Sequence, residues 1–359
     1  MHTLLTIPKP SIDSYVLKHP HGLAYHLSAW QKAVEAAYGF KCFCLTAGTR
    51  GCIRGILPLV HLHPPLMPGA LVSLPYCDAA GPLADTPEIE QDLIFSALNL
   101  AHTLHIPSVS IRSARPMAGL APETTVNPGK VRMLLPLPDS ADVLMKGLKA
   151  KVRSQVKKPF RDGLTVQSGG RNLLEAFYPL FAENMRDLGS PVHAKEWLRQ
   201  ILLRFKNRAV LFIVRMPDRT PAAGGILLCH PRMVSVPWAS SLRRYNRWNP
   251  NMMLYWAFLK FATDHHYPMF DFGRSTPGEG TYGFKKQWGA SPVPLHWANF
   301  KPAPGYSNHP LQPLARPVTS TLSGEKEKSL RRYAETAIKR MPLPVFKVFG
   351  QIIRKHISL

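Results

Sequence analysis

Two stretches of the chain share one pattern: Ala101-His-Thr-Leu-His-Ile-Pro-Ser-Val-Ser-Ile111 and Ala262-Thr-Asp-His-His-Tyr-Pro-Met-Phe-Asp-Phe272. Each reads as the end of a helix followed by a strand, and the pairing aligns Pro107 with Pro268. Because the residue before a proline avoids the helical conformation, each helix is predicted to end there and the chain to continue extended. The alternation of apolar and polar residues that follows predicts a strand with one buried face.

The likeness between the two stretches extends upstream through both halves of the chain. Each half opens a helical pattern with His-x-x-x-Trp and continues through three apolar strands to a long helix. The paired segments are His26–Trp30 with His193–Trp197, Phe40–Leu45 with Ala209–Arg215, Gly55–Leu59 with Gly225–Cys229, and Leu71–Leu74 with Met233–Trp238. The order helix, antiparallel strands, helix, strand occurs twice. It predicts an α+β fold made of two duplicated domains.

The segment between the halves carries a stripe of positive charge. Its cations recur at spacings of three and four, which places them on one face of a helix. They are Lys146, Lys149, Arg153, Lys157 and Arg161, and no acidic residue falls between Asp142 and Asp162. The face either contacts an anionic partner or is a solvated helix surface. The predicted ranges are 1–138 and 164–300 for the two domains, 139–163 for a basic linking helix, and 301–359 for a Pro-rich segment with a helical tail.

Composition limits the class of protein and its partners. The chain has 359 residues, of which 45% are apolar, so global disorder is excluded. A formal charge of +23 indicates anionic partners: nucleic acid, phosphorylated small molecules or an acidic membrane surface. The first residues lack a signal-peptide pattern and no apolar run is long enough to span a bilayer, so we expect a cytoplasmic protein. The five cysteines form no C-x-x-C pair, so no metal site is expected.

The tail ends in a basic amphipathic pattern over residues 345–357. Its apolar positions are Phe346, Phe349, Ile353 and Ile357, with cations on the other side. Such a helix either lies peripherally on an anionic membrane, at the inner face of the plasma membrane, or docks on its own protein core. The pattern alone leaves both alternatives open.

The chemistry is predicted around Asp271-Phe-Gly-Arg-Ser275 and the following Tyr282-Gly-Phe-Lys-Lys-Gln-Trp-Gly289. A strand end, a glycine-rich loop and two lysines between aromatic rings bring positive charge to an anionic or carbonyl-bearing substrate. The alternative is that one lysine faces solvent and the other forms a surface ion pair. Asp271 either accepts a proton from an amine or hydroxyl, or caps the loop and pairs with Arg274. The candidate catalytic residues are Phe284, Lys285, Lys286 and Asp271, and the candidate substrate-binding residues are Lys149, Arg153, Lys157, Arg274, Tyr282 and Trp288.

A candidate donor site precedes the second long helix. Asn249 suits the N-cap and Pro250 the first helical position. A helix N-terminus preceded by arginines is suited to bind phosphate groups. The candidate cofactor-binding residues are Arg243, Arg244, Arg247 and Asn249; the alternative is that these arginines are ordinary surface residues.

Several segments of the chain are similar to the FemAB-like branch of the GNAT-fold acyltransferases, and in particular to the group found beside exosortase/PEP-CTERM and exopolysaccharide gene clusters. The segments that carry the resemblance are Leu71–Pro75, Lys149–Lys158 running into Asp162–Leu164, Gly189–His193, Phe270–Ser275, Phe284–Gly289 and Arg340–Pro344. The resemblance implies two tandem GNAT-like domains. Some members of the family transfer an aminoacyl group from aminoacyl-tRNA to an amine of a cell-wall precursor, and others are thought to use acyl-CoA. Their Phe-Lys pair lies at the acyl-transfer site, which corresponds to Phe284 and Lys285.

The expected function combines these readings. We expect an acyl- or aminoacyl-transferase that acts on an amine or hydroxyl of a cell-envelope or exopolysaccharide sugar precursor, phosphorylated or nucleotide-linked. The donor is either acyl-CoA or aminoacyl-tRNA. The chain lacks the usual GNAT phosphate-loop signature and the long helical hairpin that some members use to contact tRNA. The alternative from another class is a non-catalytic protein that binds nucleic acid or a membrane surface with the same fold.

Overall fold

The computed structural model describes residues 9–49, 51–64, 67–120, 125–302 and 324–358. The strands are β1 (Cys42–Thr49), β2 (Cys52–Leu62), β3 (Ala70–Val72), β4 (Leu83–Ala84), β5 (Val109–Ser113), β6 (Val126–Pro136), β7 (Thr165–Gly169), β8 (Ala209–Arg215), β9 (Pro221–His230), β10 (Met233–Ser241), β11 (Met269–Ser275) and β12 (Ser291–Phe300). The helices are α1 (Lys9–Lys18), α2 (Ser28–Tyr38), α3 (Pro87–Thr103), α4 (Ala141–Gly147), α5 (Ala150–Arg161), α6 (Leu174–Leu188), α7 (Lys195–Phe205), α8 (Pro250–Asp264), α9 (Gly280–Lys286), α10 (Gly324–Arg340) and α11 (Leu343–Lys355).

The described residues divide between two compact units. The first draws on Met1–Val131, Pro294–Glu327 and His356–Leu359, and the second on Arg132–Val293 and Lys328–Lys355. The boundaries of these units do not coincide with the predicted ranges: residues 132–138, predicted in the first domain, and residues 328–355 of the predicted tail fall in the second unit. The predicted linking helix lies inside the second unit, and the end of β12 lies in the first, because His296–Phe300 pairs antiparallel with β5.

The first unit is a mixed sheet covered by α3. Strands β1, β2 and β3 pair antiparallel in that order, β3 pairs parallel with β5, and β4 pairs with β2. Helix α3 begins at Pro87, where the Thr86 hydroxyl accepts a hydrogen bond from the Ile89 N–H at 3.4 Å. Its Ile94 and Leu98 are fully buried in a cluster with Leu57 of β2. Each such side chain contributes about 1.5–3 kcal/mol by its burial.

The second unit repeats this arrangement around α8. Strands β7, β8, β9 and β10 pair antiparallel in that order, and β10 pairs parallel with β11, which is followed by β6. Helix α8 packs on β8 and β9. A Cβ at Gly225 of β9 would lie 2.6 Å from the Trp238 carbonyl oxygen and 2.8 Å from the Phe258 ring, so only glycine allows the approach. The helix therefore lies directly against the sheet that holds the predicted site.

The predicted duplication is confirmed down to the backbone of the two helix ends. His105 and His266 both adopt the left-handed conformation with φ 57°. The next residues close the same turn: Ile106 N–H donates to the Ala101 carbonyl at 2.8 Å, and Tyr267 N–H donates to the Ala262 carbonyl at 3.0 Å. This is the Schellman pattern, so the left-handed histidine ends each helix and the predicted proline stop follows it.

The predicted basic helix over 139–161 is wrong in one respect, because it is two helices. Leu148, between α4 and α5, is extended with φ −70° and ψ 147° and is buried. The Arg153 guanidinium donates to the carbonyl of Leu148 and, at 3.4 Å, to that of Lys146. Burial of Leu148 and this bridge over the carbonyls at the end of α4 account for the break.

The predicted apolar face of the tail helix also needs correction. Phe346 is fully buried, whereas Phe349, Ile353 and Ile357 are exposed. Helix α11 packs on α6 through the face that contains Phe346 and Gly350. A Cβ at Gly350 would lie 3.2 Å from Val192, so the close approach occurs at that glycine. None of the described helices is long and apolar enough to cross a membrane.

Candidate active site

The parallel strands β10 and β11 separate at the candidate site. Among the described residues their pairing consists of Val234 with Phe270 and Ser235 with Asp271. Strand β10 also shifts register against β9 between Ser235 and Trp238. Such irregularities bend a strand away from its neighbour and are frequent beside active sites. Beyond Asp271, the facing backbone edges of β10 and β11 therefore open into a gap.

Asp271 lies at the base of this gap in a buried ion pair. Its Oδ2 accepts from Arg132 Nε at 3.2 Å and from Nη2 at 2.7 Å, and both side chains are at most 5% exposed. Its Oδ1 accepts from the Gly273 N–H at 2.8 Å. The carboxylate thus caps the following turn, which was the predicted alternative to a role as proton acceptor. Its ionic partner is Arg132 of β6, however, and not the predicted Arg274.

Lys285 is buried and holds the end of β11. Its Nζ donates to the carbonyls of Gly273 at 3.1 Å and Arg274 at 2.7 Å, and the residue is 8% exposed. Successive carbonyls of a regular strand point in opposite directions. Gly273 has φ 75°, which breaks that alternation and lets both carbonyls reach one ammonium. The positive φ at this position favours glycine, which adopts it without the strain that a Cβ brings.

The segment between β11 and Trp288 includes a short helix, where the sequence predicted a loop. Helix α9 directs Lys285 inward and leaves Lys286 exposed, so the two predicted lysines have different surroundings. Phe284 and Trp288, four residues apart, lie on the same side. Their ring centroids are 6.3 Å apart.

Tyr255 of α8 is the centre of an aromatic cluster that the sequence analysis missed as part of the site. Its ring stacks on Phe272 at 5.7 Å, meets Phe284 edge-on at 4.9 Å and lies 6.5 Å from Trp288. Burial raises the pKa of Tyr255 far above neutrality, so its phenol stays protonated. In the sequence, Tyr255 stands in an almost entirely apolar helix, and nothing there separates it from the core.

Two buried donors at the site lack a partner among the described residues. These are the Ser275 hydroxyl, at the end of β11, and the Trp288 indole N–H. The Ser241 hydroxyl, at the end of β10, is a third such group. Buried polar atoms are almost always hydrogen-bonded, so these three exceptions, two at the ends of β10 and β11 and one after α9, call for an explanation. A ligand oxygen within the gap would provide one.

The candidate donor site is a 3₁₀ turn, Arg243–Trp248, that leads into α8. Arg243 and Arg247 are exposed, and the Arg247 guanidinium stacks 3.7 Å from the Trp248 ring. Arg244 is paired with Glu183. Asn249 occupies the N-cap position as predicted, but with φ 55° and no side-chain cap, so its amide side chain does not close the helix.

The remaining predicted site residues differ in exposure. Tyr282 and Arg274 are half-buried, while Lys149 and Lys157 are exposed on α5. Arg153 is half-buried, in the bridge described above. The described residues contain no group of three or more His, Cys, Asp or Glu side chains that could hold a metal ion.

The first unit contains the counterpart of the gap, and there the chain itself fills it. Parallel pairing of β3 with β5 consists of Leu71 with Val109 and Val72 with Ser110. Beyond these pairs, the Ser358 carbonyl accepts from the Arg112 guanidinium at 2.8 Å and from the Tyr76 N–H at 2.7 Å. Of these two gaps in the described chain, the one in the second unit is therefore the candidate active site.

Comparison with known proteins finds a family model that is similar to part of the second unit. A family model described as an acetyltransferase (GNAT) domain matches residues 146–286. That range includes β10, β11, α8 and Lys285, so the similarity to the acetyltransferase (GNAT) domain lies in the second unit. A search of curated protein sequences finds no match.

Solved structures show the fold of the whole chain. FemX has a TM-score of 0.66 at 16% identity, covering 82% of this chain and 96% of that one. L-PGS from Bacillus licheniformis has a TM-score of 0.56 at 11% identity, covering 98% and 97%. A tandem GNAT protein from the clavulanic acid biosynthesis pathway has a TM-score of 0.52 at 12% identity, covering 83% and 94%. The chain has a tandem GNAT-like fold.

Proposed function

We propose that the protein transfers an acyl or aminoacyl group to an amine or hydroxyl of a cell-envelope or exopolysaccharide sugar precursor. The observation that carries the proposal is the gap between β10 and β11, with a buried ammonium and unpaired donors at its rim. The choice of a sugar precursor rests on the resemblance to FemAB-like proteins associated with exosortase/PEP-CTERM and exopolysaccharide clusters.

The donor is proposed to lie in the gap with its carbonyl near the end of β11. Open strand edges present N–H and C=O groups that an amide-bearing chain can pair with, as an added strand does. The exposed Arg243 and Arg247, before the N-terminus of α8, suit the phosphates of acyl-CoA or of a tRNA end. Arg244 contributes less, since Glu183 already neutralises it.

The proposed reaction is direct attack of the acceptor on the donor carbonyl. The new C–N or C–O bond forms, a tetrahedral oxyanion develops, and the C–S or C–O bond to the donor then breaks. The Lys285 ammonium supplies positive charge near the oxyanion in a site shielded from water, where charge acts strongly. Because its protons already bind two carbonyls, Lys285 acts through its charge and by positioning β11.

Proton transfers complete the proposed reaction. The acceptor loses one proton, and the leaving thiolate or alkoxide gains one. In the proposal the Tyr255 phenol, whose ring contacts Phe284, gives its proton to the leaving group and takes up the proton that the acceptor loses. Asp271 is engaged by Arg132 and Gly273, so the geometry favours a positioning role for it over that of a base.

The acceptor is proposed to be anionic. Lys149, which precedes α5, and Lys157, on α5, both have exposed side chains, whereas Val152 and Val156 form the buried face of that helix. A phosphorylated or nucleotide-linked sugar fits this charge. RNA would bind the same two lysines, and retention on RNA that survives physiological salt would favour that alternative.

The test is a thermal-shift screen of CoA, acetyl-CoA, dodecanoyl-CoA, UDP-N-acetylglucosamine and aminoacyl-tRNA. A bound donor at 100 times its Kd stabilises the fold by about 2.7 kcal/mol, which raises Tm by about 5–10 °C. The variant Arg243→Ala/Arg247→Ala should lose most of this shift, and the exposed control Arg171→Ala should keep it. If no donor shifts Tm and no labelled acyl group reaches any sugar nucleotide, the proposed function is wrong.

A further inference from the structure

We propose that the outward face of α11 docks the protein on the surface of a bilayer rich in anionic lipid. This face is formed by five large apolar residues, Val345, Val348, Phe349, Ile352 and Ile353. The proposal concerns where the protein lies in the cell and does not depend on the transferase activity.

The outward face is a continuous apolar surface. Its residues are exposed by 43%, 59%, 54%, 57% and 44%, in the order given above. Spacings of three, four, seven and eight from Val345 put them on one side of the helix. Other exposed apolar side chains of the described chain, such as Leu188, Val166 and Met67, lie on separate elements. Scattered apolar residues are normal on a surface, whereas a contiguous set marks an interaction site.

The helix is fixed in this orientation by its opposite side. Phe346 is fully buried, and Gly350 allows close contact with Val192. The Gln351 amide donates to the Tyr178 hydroxyl at 2.9 Å, and Arg354 Nε donates to His193 Nε2 at 3.1 Å. Rotating the helix to bury its outward face would break these contacts. The apolar stripe is therefore a stable external feature of the fold.

Charge selects the partner. Helix α11 contains no acidic residue, and Lys355, seven positions after Val348, lies beside its apolar stripe. Lys339 and Arg340, at the end of the preceding α10, are exposed. Each cation near an anionic leaflet adds about 1 kcal/mol of attraction, and apolar insertion with flanking cations is the binding mode of interfacial helices. A second copy of a chain with charge +23 would instead meet like charge on this surface.

Sedimentation with lipid vesicles, without donor or acceptor, tests the proposal. Vesicles of equal parts phosphatidylglycerol and phosphatidylcholine should bind the protein, and vesicles of phosphatidylcholine alone should bind it at least about tenfold more weakly. Phe349→Ser/Ile352→Ser should weaken binding to the anionic vesicles about tenfold or more. The matched control is Val143→Ser/Phe160→Ser, which removes two side chains of 56% and 48% exposure from other helices. It should bind like the unaltered protein.

Three results would overturn the proposal. One is equal vesicle binding by Phe349→Ser/Ile352→Ser and the unaltered protein, since charge alone would then explain it. Another is equal binding by Lys339→Glu/Arg340→Glu. The third is a dimer in analytical ultracentrifugation that Phe349→Ser/Ile352→Ser abolishes, which would identify a second copy as the partner. Thermal melts of each variant show that it is folded. Failure here would leave the donor-binding test of the proposed function untouched.

Discussion

Replacing Asp271 by Asn tests whether this carboxylate is the counter-ion of Arg132. The substitution keeps the size of the side chain and an oxygen for the Gly273 N–H, but it removes the negative charge beside a guanidinium that is 5% exposed. An Arg132 charge without its partner is then buried in the second unit. The expected result is a large loss of stability.

The magnitude follows from the burial of the pair. Removing one partner of a buried ion pair costs about 3–5 kcal/mol, because the other charge is left without compensation. Since Asn retains a hydrogen-bond acceptor, the lower end, about 3 kcal/mol, is the expected loss. In a unit of this size 1 kcal/mol corresponds to about 2–4 °C, so Tm should fall by about 6–12 °C.

Differential scanning calorimetry and urea unfolding measure the change, with Asp264→Asn as the matched control. Asp264 pairs with Lys260 on the surface, where the two side chains are 43% and 54% exposed. Its replacement should cost less than about 0.5 kcal/mol. The double variant Arg132→Gln/Asp271→Asn removes both charges. Its loss of stability should differ from the sum of the two single-variant losses by a coupling energy of at least about 1 kcal/mol.

This reasoning would be refuted if the Tm of Asp271→Asn lay within about 2 °C of the Tm of the unaltered protein, since 1 kcal/mol corresponds to about 2–4 °C. The carboxylate would then be neutral or open to solvent in the folded state. Its role as proton acceptor in catalysis would become the better account.

Three further predictions follow from single side chains. Lys285→Met removes the donor to the carbonyls of Gly273 and Arg274 and should lower the free energy of unfolding by about 2–4 kcal/mol. Lys286→Met, at an exposed site, should leave the free energy of unfolding within about 0.5 kcal/mol of that of the unaltered protein. Equal urea midpoints for the two variants would contradict the assignment of Lys285 as the lysine that holds β11. Arg112→Ala should lower the free energy of unfolding by about 2–4 kcal/mol, because it removes the hydrogen bonds to Ser358 and the contact with the Trp297 ring. An unchanged calorimetric trace would contradict these two contacts of Arg112. Burial, and then the charge of Arg354, lower the pKa of His193 well below its usual 6.5, so only the unfolded chain takes up this proton as pH falls from 6.5. Stability should therefore be complete above pH 6.5 and fall by up to about 1.4 kcal/mol per pH unit below it, and His193→Gln should flatten that slope in melts between pH 7.5 and 5.5.

The repeat could be read from the sequence because it is recorded in local signals. Turns, helix stops and the alternation of a strand depend on residues close together in the chain, so β8 was predicted with its observed bounds. The break at Leu148 was missed because it depends on tertiary burial of a leucine that fits a helix equally well. The outward face of α11 was missed for a related reason: Phe346 and Phe349 are alike in sequence, and only the packing at Gly350 decides which is buried.

The site was partly predictable for the same reason. Lys285 and Asp271 stand in one short motif, and the motif directed attention to the correct strand end. Their partners could not be found there. Arg132 is 139 positions before Asp271, and Tyr255 lies on a different element from Phe272 and Phe284. A buried pair of that separation leaves no pattern in a single sequence, because only the fold brings its members together.

One matching position explains why the two repeats differ at their gaps. Arg112 and Gly273 each stand two residues after the last residue of parallel pairing, Ser110 in the first unit and Asp271 in the second. The Arg112 side chain reaches Ser358 and fills its gap with the chain's own backbone. The absence of a side chain at Gly273 permits the turn that gives both carbonyls to Lys285. The duplicated fold thus provides two equivalent openings. Arg112 helps to close the opening in the first unit, and Gly273 helps to order the strand end beside the opening in the second unit.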